Sequence, residues 1–468
     1  MQNIKYYLEV VSEKSKGESR KSQVASSKVS KLFSCFISLF YLKDEKNYTQ
    51  KFDRFWTLRL LTFALLTFLN GNAQTLTLDN VLSTIKANNP QLKMYDADIQ
   101  SMDASAKGAR SWMAPLVETG FFMTPYNSNL WKADEMGSGM GNYMIGVTQM
   151  IPNVSKLNAN ENLMKAMSSV ENENKNFTLN RLNALAKTYY YEWIIIKKKT
   201  KIAQDNLQLL EYMIKSMEIR YQYNMDKLPS YYKAKSQYAT LQSMIVMLEN
   251  DASQRKYMLN TLMARDKNVD FEIDSNYQIK DFNFLEADLS SYINNRSDIK
   301  AIDKTKEINN YKIEVEKVAT RPEFGVKYDH MFAFGNQPQQ FSLMGMMTIP
   351  VSWSTKMNKA NMESYRIKNE SLDWQKQMIA NEASGMIKGM NAEFLNLKKQ
   401  YQITQDNILP ALKRNYDTAI LAWQNNTGDL FVALEAWEAM NMTQIDALDK
   451  LKSILTAQVE IEKQLEIN

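Results

Sequence analysis

The side chains of this 468-residue chain that could do chemistry are few, and their spacing argues against an active site. There is one histidine, His330, and one cysteine, Cys35, far apart in the sequence. No glycine-rich phosphate cradle occurs, and Asp and Glu are spread along helical stretches without an isolated catalytic pair. His330 falls on a strand face, where a structural role outweighs catalysis or metal ligation. The 29 methionines stand out by number, and Met344, Met346 and Met347 lie close together. Thioethers are soft ligands suited to copper or silver. Methionine is also a common core filler, and these three are not grouped with histidine or cysteine. The expectation is a protein without enzymatic activity, cofactor or metal site, with metal export kept as the lesser reading.

The charge belongs to a leader. Residues 1–73 hold 12 Lys and Arg against 6 Asp and Glu, while the remaining 395 residues carry 45 basic and 46 acidic side chains. A body this balanced has no general nucleic-acid footprint. Within the leader, Lys51, Arg54 and Arg59 precede the apolar run 60–69, and Asn70-Gly-Asn-Ala73 supplies small residues. Residues 51–73 therefore read as a secretory signal, and its run is too short to cross a bilayer as a helix. Residues 1–50 form an extension to which no role is assigned. Cys35 lies in it, so the exported body would contain no thiol.

The elements that follow are dominated by one stretch. Asn153 to Leu228 runs for 76 residues without proline or glycine, with apolar residues at helical spacing such as Leu207, Leu210, Ile214 and Met217. At 1.5 Å per residue, 70 helical residues span about 105 Å, so such a helix must pack sideways against other long helices. The pattern predicts a helix from Asp79 as cap, a second helix to about Arg110, strands at about 116–124 and 141–150, the long helix, a turn at 224–229 and a returning helix to about Arg265. A polar linker, 266–284, then separates residues 74–265 from 285–468.

The second half repeats the order. Ser297 stands where Pro90 stood and Pro322 where Pro115 stood, both at an offset of 207. Strands are expected at about 323–334 and 341–349, and a second long helix from Ser352 to about Gln424. Its turn, Trp423-Gln-Asn-Asn426, matches Tyr221-Gln-Tyr-Asn224 at an offset of 202. Breaks at nearly constant offset indicate internal duplication. Gly385 and Gly389 sit inside the second long helix; they allow a bend or a close crossing, or are simple weak spots.

The strand at 323–334 alternates strictly. Phe324, Val326, Tyr328, His330, Phe332 and Phe334 share one face; Glu323, Gly325, Lys327, Asp329, Met331 and Ala333 share the other. This suits a strand with lipid on one side and water on the other, and equally a two-sheet soluble core with a wet face. Four strands cannot close a membrane barrel, and a spanning sheet cannot leave open edges in lipid. If they span, several chains must build one barrel.

In order and spacing these pieces resemble the TolC family of outer-membrane efflux proteins over nearly all of 75–468. The marks are Leu76-Thr-Leu-Asp-Asn-Val81, Ala-Asn-Asn-Pro-Gln-Leu92, Ala114-Pro115 and Gln149-Met-Ile-Pro-Asn153. The second copy adds Asn295-Arg296, Arg321-Pro322, Ile349-Pro350, Leu409-Pro410 and Gly428-Asp-Leu430. The resemblance implies a mainly α fold with a small transmembrane β part, in which duplicated long-helix coiled-coil hairpins join four β-strands given to a trimeric twelve-stranded barrel. It implies a passive duct in the outer membrane with a long periplasmic portion. Its partners would be two further copies, outer-membrane lipid, a periplasmic adaptor and an inner-membrane transporter of RND or ABC type.

The resemblance also places helix-turn-helix tips at Tyr221, Asn224 and Asp226 and at Trp423, Asn426, Gly428 and Asp429. The chain departs from the family pattern there, because asparagine at 224 and 426 replaces a usual glycine; asparagine tolerates a left-handed backbone. Glu435 falls at a position where some members narrow the tunnel with acid, while Val432 occupies the other. Three Glu435 side chains would attract cations and repel anions; a solvated helix face is the other reading. An exported coiled-coil scaffold or adaptor is the alternative to the duct.

Overall fold

The computed structural model describes residues 75–133, 139–223, 227–282 and 286–467, all within the compact unit Ala73–Asn468. The extension 1–50 and the signal segment 51–73 lie outside the described residues. The first half runs β1 (Thr75–Leu76), α1 (Leu78–Asn88), α2 (Pro90–Lys107), β2 (Leu116–Phe122), β3 (Asn142–Ile151), α3 (Val154–Gln222) and α4 (Leu228–Leu262). The second runs β4 (Glu272–Ile273), α5 (Glu286–Asn294), α6 (Ser297–Ala319), β5 (Glu323–Ala333), β6 (Gln340–Thr348), α7 (Lys356–Ile403), α8 (Leu409–Gln424) and α9 (Leu430–Leu465). The protein is mainly helical, with long helices and a small sheet. No helix among the described residues is long and apolar enough to cross a membrane.

Local chemistry sets these boundaries. Thr77, not Asp79, caps α1, its hydroxyl accepting from the Asn80 amide; Asp79 sits inside the first turn, where a carboxylate favours the helix dipole. Asn89 ends α1 and caps α2 by accepting from the Gln91 amide at 2.9 Å, and Pro90 follows at the first helical position. The Asn89 amide also donates to the Leu262 carbonyl at 2.9 Å, holding the end of α4. The matching device in the second half is Arg296, which donates to the Gln464 carbonyl at 2.9 Å. Position 296 is 89 plus 207, and 464 is 262 plus 202, the two offsets of the sequence repeat.

At 69 residues, α3 spans about 104 Å. The second rod, Lys356 through Gln424, covers the same 69 residues as α3 but is not one regular helix and starts four residues after Ser352. Its break is a π-turn at Thr404–Ile408, directly before Leu409-Pro410. Proline has no N–H to return to the preceding turn, and a widened turn accommodates its ring. Gly385 and Gly389 are unbroken helix on an exposed face, and a Cβ at either would meet nothing within 4 Å of it in the chain, so neither makes a close crossing here.

The cores repeat as well. Tyr190, Trp193 and Ile194 of α3 pack with Val81, Ile85, Leu92 and Leu259. Ile387 and Phe394 of α7 pack with Leu289, Ile293, Ile299 and Ile461. The expected polar linker is not merely a linker: Phe271, Ile273 and Phe282 are buried, and β4 pairs in parallel with β1, Glu272 opposite Thr75. A two-residue strand carries no periodicity to read. Tyr190 fixes it, its hydroxyl lying 3.0 Å from the carbonyls of both Leu76 and Asp274, and burial pushes the phenol up to about 12.

One ion cluster lies inside this region. Glu462 of α9 accepts from Lys187 of α3 at 2.6 Å and from Lys280 at 2.7 Å, with the Lys187 and Glu462 side chains buried. Burial raises the Glu462 carboxyl, but the two lysine hydrogen bonds outweigh it and hold the group below its ordinary value. Glu462→Gln leaves the Lys187 ammonium buried without its counter-charge, which costs about 3–5 kcal/mol. The variant is expected to melt earlier by circular dichroism, and the Lys187→Met, Glu462→Met double variant to recover most of the loss. A depressed folded-state carboxyl contributes fully above the ordinary carboxylate range and is lost as pH falls through its folded value. The gap between wild type and Glu462→Gln is therefore expected to close toward acid; a gap that persists there would contradict the assignment.

Candidate functional site

The four longer strands form one antiparallel sheet in the order β2-β3-β5-β6. They cover nearly the expected ranges, ending one to two residues earlier at Phe122, Ala333 and Thr348; Phe334 still donates to the Gly141 carbonyl at 3.0 Å. The central pair, β3 with β5, runs in register from Asn142 opposite Ala333 to Ile151 opposite Phe324. Because side chains alternate, register sorts the whole sheet into two faces.

One face carries Val117 and Phe121, Tyr143, Ile145, Val147 and Ile151, Phe324, Val326, Tyr328 and Phe332, and Phe341, Leu343 and Met347. Most of these are exposed, Phe341 at 68%. Aromatic rings gather at its loop end, where Phe121, Trp131 and Phe334 touch one another, and Phe324 lies near the other end of β5. His330 belongs to this face, its ring edge-on to Phe332 at 4.5 Å and its Nε2 3.3 Å from Gln339 Oε1.

The opposite face is charged. Lys327 donates to Glu118 at 2.7 Å and lies 3.5 Å from Asp329, and the Ser342 hydroxyl donates to Asp329 at 3.1 Å. Asp329 is 2% exposed because Gly146, opposite it, has no side chain: a Cβ there would fall 2.3 Å from the carboxylate.

At the far end of the rods, α8 turns into α9 through Asn425–Asp429. Asn426 adopts φ +60, the left-handed backbone that asparagine accepts. Its amide donates to the Trp423 carbonyl at 3.1 Å, and the Thr427 amide to the Ala422 carbonyl at 2.9 Å, which together close the helix in a Schellman motif. Gly428 is needed for space, since a Cβ would approach Ala422 Cβ to 2.9 Å. Asp429 caps α9 by accepting from the Phe431 amide at 2.9 Å.

The structure divides the expected tip residues. Asn426, Gly428 and Asp429 are exposed and build the second turn, and Tyr221 is exposed on the first. Asn224 and Asp226 lie outside the described residues. Trp423 is 2% exposed and belongs to the core, packed among Met213, Met217, Leu430 and Leu434, with the Arg220 guanidinium 5.0 Å from its ring centre. Three residues not singled out in the sequence complete the tip. Arg220 donates to Asn426 Oδ1. Lys227 pairs with Asp429 at 3.4 Å, and Lys233 lies 3.7 Å from both Glu435 and Glu438. Positions 227 and 429, like 233 and 435, differ by 202, so repeat-equivalent positions face each other with opposite charge. That offset was the available signal. Among the described residues no group of His, Cys, Asp and Glu could hold a metal ion.

A family model described as outer membrane efflux protein matches residues 81–265. None of the curated proteins matches the sequence. Among solved structures the chain is similar to CusC (TM-score 0.67, 14% identity, covering 86% of this chain and 96% of that one). It is also similar to a membrane protein from Pseudomonas aeruginosa (0.67, 14%, 84% and 91%) and to the outer-membrane channel OprN (0.66, 12%, 84% and 90%). Identities this low speak for the fold.

The left-handed turn can be tested by substitution. Asn426→Val places a β-branched residue at positive φ and is expected to cost about 1–2 kcal/mol. Asn426→Gly keeps the backbone and loses only the acceptor for Arg220. Thermal melts should rank Val well below Gly; equal melting points would mean that the turn conformation is not what position 426 contributes.

Proposed function

We propose that the chain is a member of the TolC family of outer-membrane efflux proteins and the outer-membrane exit duct of a tripartite efflux system, a reading supported by the efflux-protein family model over residues 81–265 and by the shared fold. As such a duct it is a transport protein and not an enzyme. In this reading three copies close one twelve-stranded barrel, and their helices extend through the periplasm to an adaptor and an inner-membrane pump.

One observation carries the proposal: a four-stranded sheet with an exposed apolar face, a charged face and two edges, β2 and β6, unpaired among the described residues. Exposed edges invite pairing, and in lipid they must be paired. Strands of 9–11 residues, the lengths of β6, β3 and β5, suit a tilted span of the hydrocarbon layer. The aromatic rings at the two ends of the apolar face suit the interfacial girdles of such barrels. Two further copies supply the missing strand partners, with β6 of one copy beside β2 of the next.

The rods suit the periplasmic part. Their tips present Tyr221, Tyr223, Tyr232 and Phe431 as exposed rings, chemistry that an adaptor can cover. Glu435 lies one to two turns into α9 on an exposed face, where three copies would place carboxylates near one axis.

Two measurements test this. The chain expressed from about residue 51 in a Gram-negative host is expected in the outer-membrane fraction, and after detergent extraction as a trimer. A periplasmic, detergent-independent monomer or dimer would replace the duct with the scaffold reading. In planar bilayers the wild type is expected to prefer cations and Glu435→Gln to reduce that preference; unchanged selectivity would remove Glu435 from the constriction.

A further inference from the structure

The charged face of the sheet holds a residue type that its chemistry does not call for. From the loop end inward, Met144 stands opposite Met331. The next level holds Glu118, Gly146, Asp329 and Ser342. Then come Thr148, Lys327 and Met344, and last Met150 and Met346 on either side of Gly325. Five thioethers thus share this face with Glu118, Lys327 and Asp329. Met347, by contrast, lies on the apolar face with Phe324. The water-facing wall of a barrel is ordinarily polar, so packing an apolar core does not account for them.

Two of the five converge. A Cβ at Gly325 would lie 2.7 Å from Met150 Sδ and 3.2 Å from Met346 Cε. With no side chain at 325, the two methionines reach toward each other over its backbone from strands on either side. We propose that Met150 and Met346, meeting over Gly325 on the charged face of the sheet, form a binding site for a soft monovalent cation, Ag(I) or Cu(I), carried as cargo. Neutral, polarisable sulfur donors select such ions over hard divalent cations, which take oxygen ligands. Met344, two residues from Met346 on the same face, is a third thioether within one step of the strand. Glu118 and Asp329 against Lys327 leave this part of the wall negative, which raises the local concentration of cations. The Met144–Met331 pair, three levels along and about 20 Å away, offers a second stop toward the loops.

The inference rests on the duct reading for the water-facing wall and the direction of transport, whereas the meeting of Met150 and Met346 over Gly325 does not. The test is titration of the purified full chain in detergent with Ag(I) in chloride-free buffer, followed by silver-edge X-ray absorption. Wild type is expected to bind with sulfur neighbours around silver. Met150→Leu, Met346→Leu, a volume-conserving change, is expected to weaken that binding at least tenfold, and Met347→Leu to leave it unchanged. Identical isotherms for all three, or silver without sulfur neighbours in wild type, would overturn the site. Bilayer conductance of the same sample separates the two readings. Channels that do not bind silver remove this inference alone, and silver binding without channels keeps the site and removes the duct.

Discussion

The pairing of β3 with β5 is the contact on which the rest of the structure depends. Ten residue pairs join segments from the two halves of the chain and put them side by side in one sheet. Everything at that end follows from its register. A slip of one residue would turn Phe324, Val326 and Tyr328 to the charged face and carry Lys327 and Asp329 to the apolar one. The register is held where the cost of error is greatest: Gly146 opens just the space that the buried Asp329 carboxylate fills.

The same logic of paired halves runs down the rods. A helix of 69 residues cannot bury itself, so α3 lies along α4, α2, α6 and α9, and the equivalent second rod lies along α6 and α9. At the middle, Asn89 and Arg296 each hold the end of a returning helix at repeat-equivalent positions. At the tip, Lys227 faces Asp429 and Lys233 faces Glu435, a basic residue from one copy against an acidic residue from the other. Opposite charge at matched positions favours pairing of unlike halves over like ones, so the tip carries its own discrimination. Exposed ion pairs of this kind contribute little to stability.

The charged sheet face and the ion pairs of the tip lie at opposite ends of the rods, with further ion pairs such as Lys175–Asp96 and Lys306–Asp373 along them. Between them the buried Glu462 cluster ties α9 to α3, and Tyr190 ties the short β1–β4 pair to the same helix. In the proposed duct, geometry rather than reactive groups carries the function.

The sequence by itself determined the long helices, the four strands and the repeat, because each leaves a local or periodic mark: 76 residues without proline or glycine, strict alternation at 323–334, and breaks at fixed offsets. It also determined that Asn426 could hold a turn, since the backbone preference of asparagine is intrinsic. Tertiary structure decided what depends on partners far away in the chain. The proline-linked π-turn rather than Gly385 or Gly389 breaks the second rod, because its neighbours leave those glycines in open space. Trp423 is core rather than surface because residues of α3, α4 and α9 pack with its own helix in one cluster. The β1–β4 strand pair, the lysine facing Glu435 and the methionines gathered over Gly325 come from segments tens to hundreds of residues apart. No local pattern encodes such meetings; the register of the sheet and the packing of the rods create them.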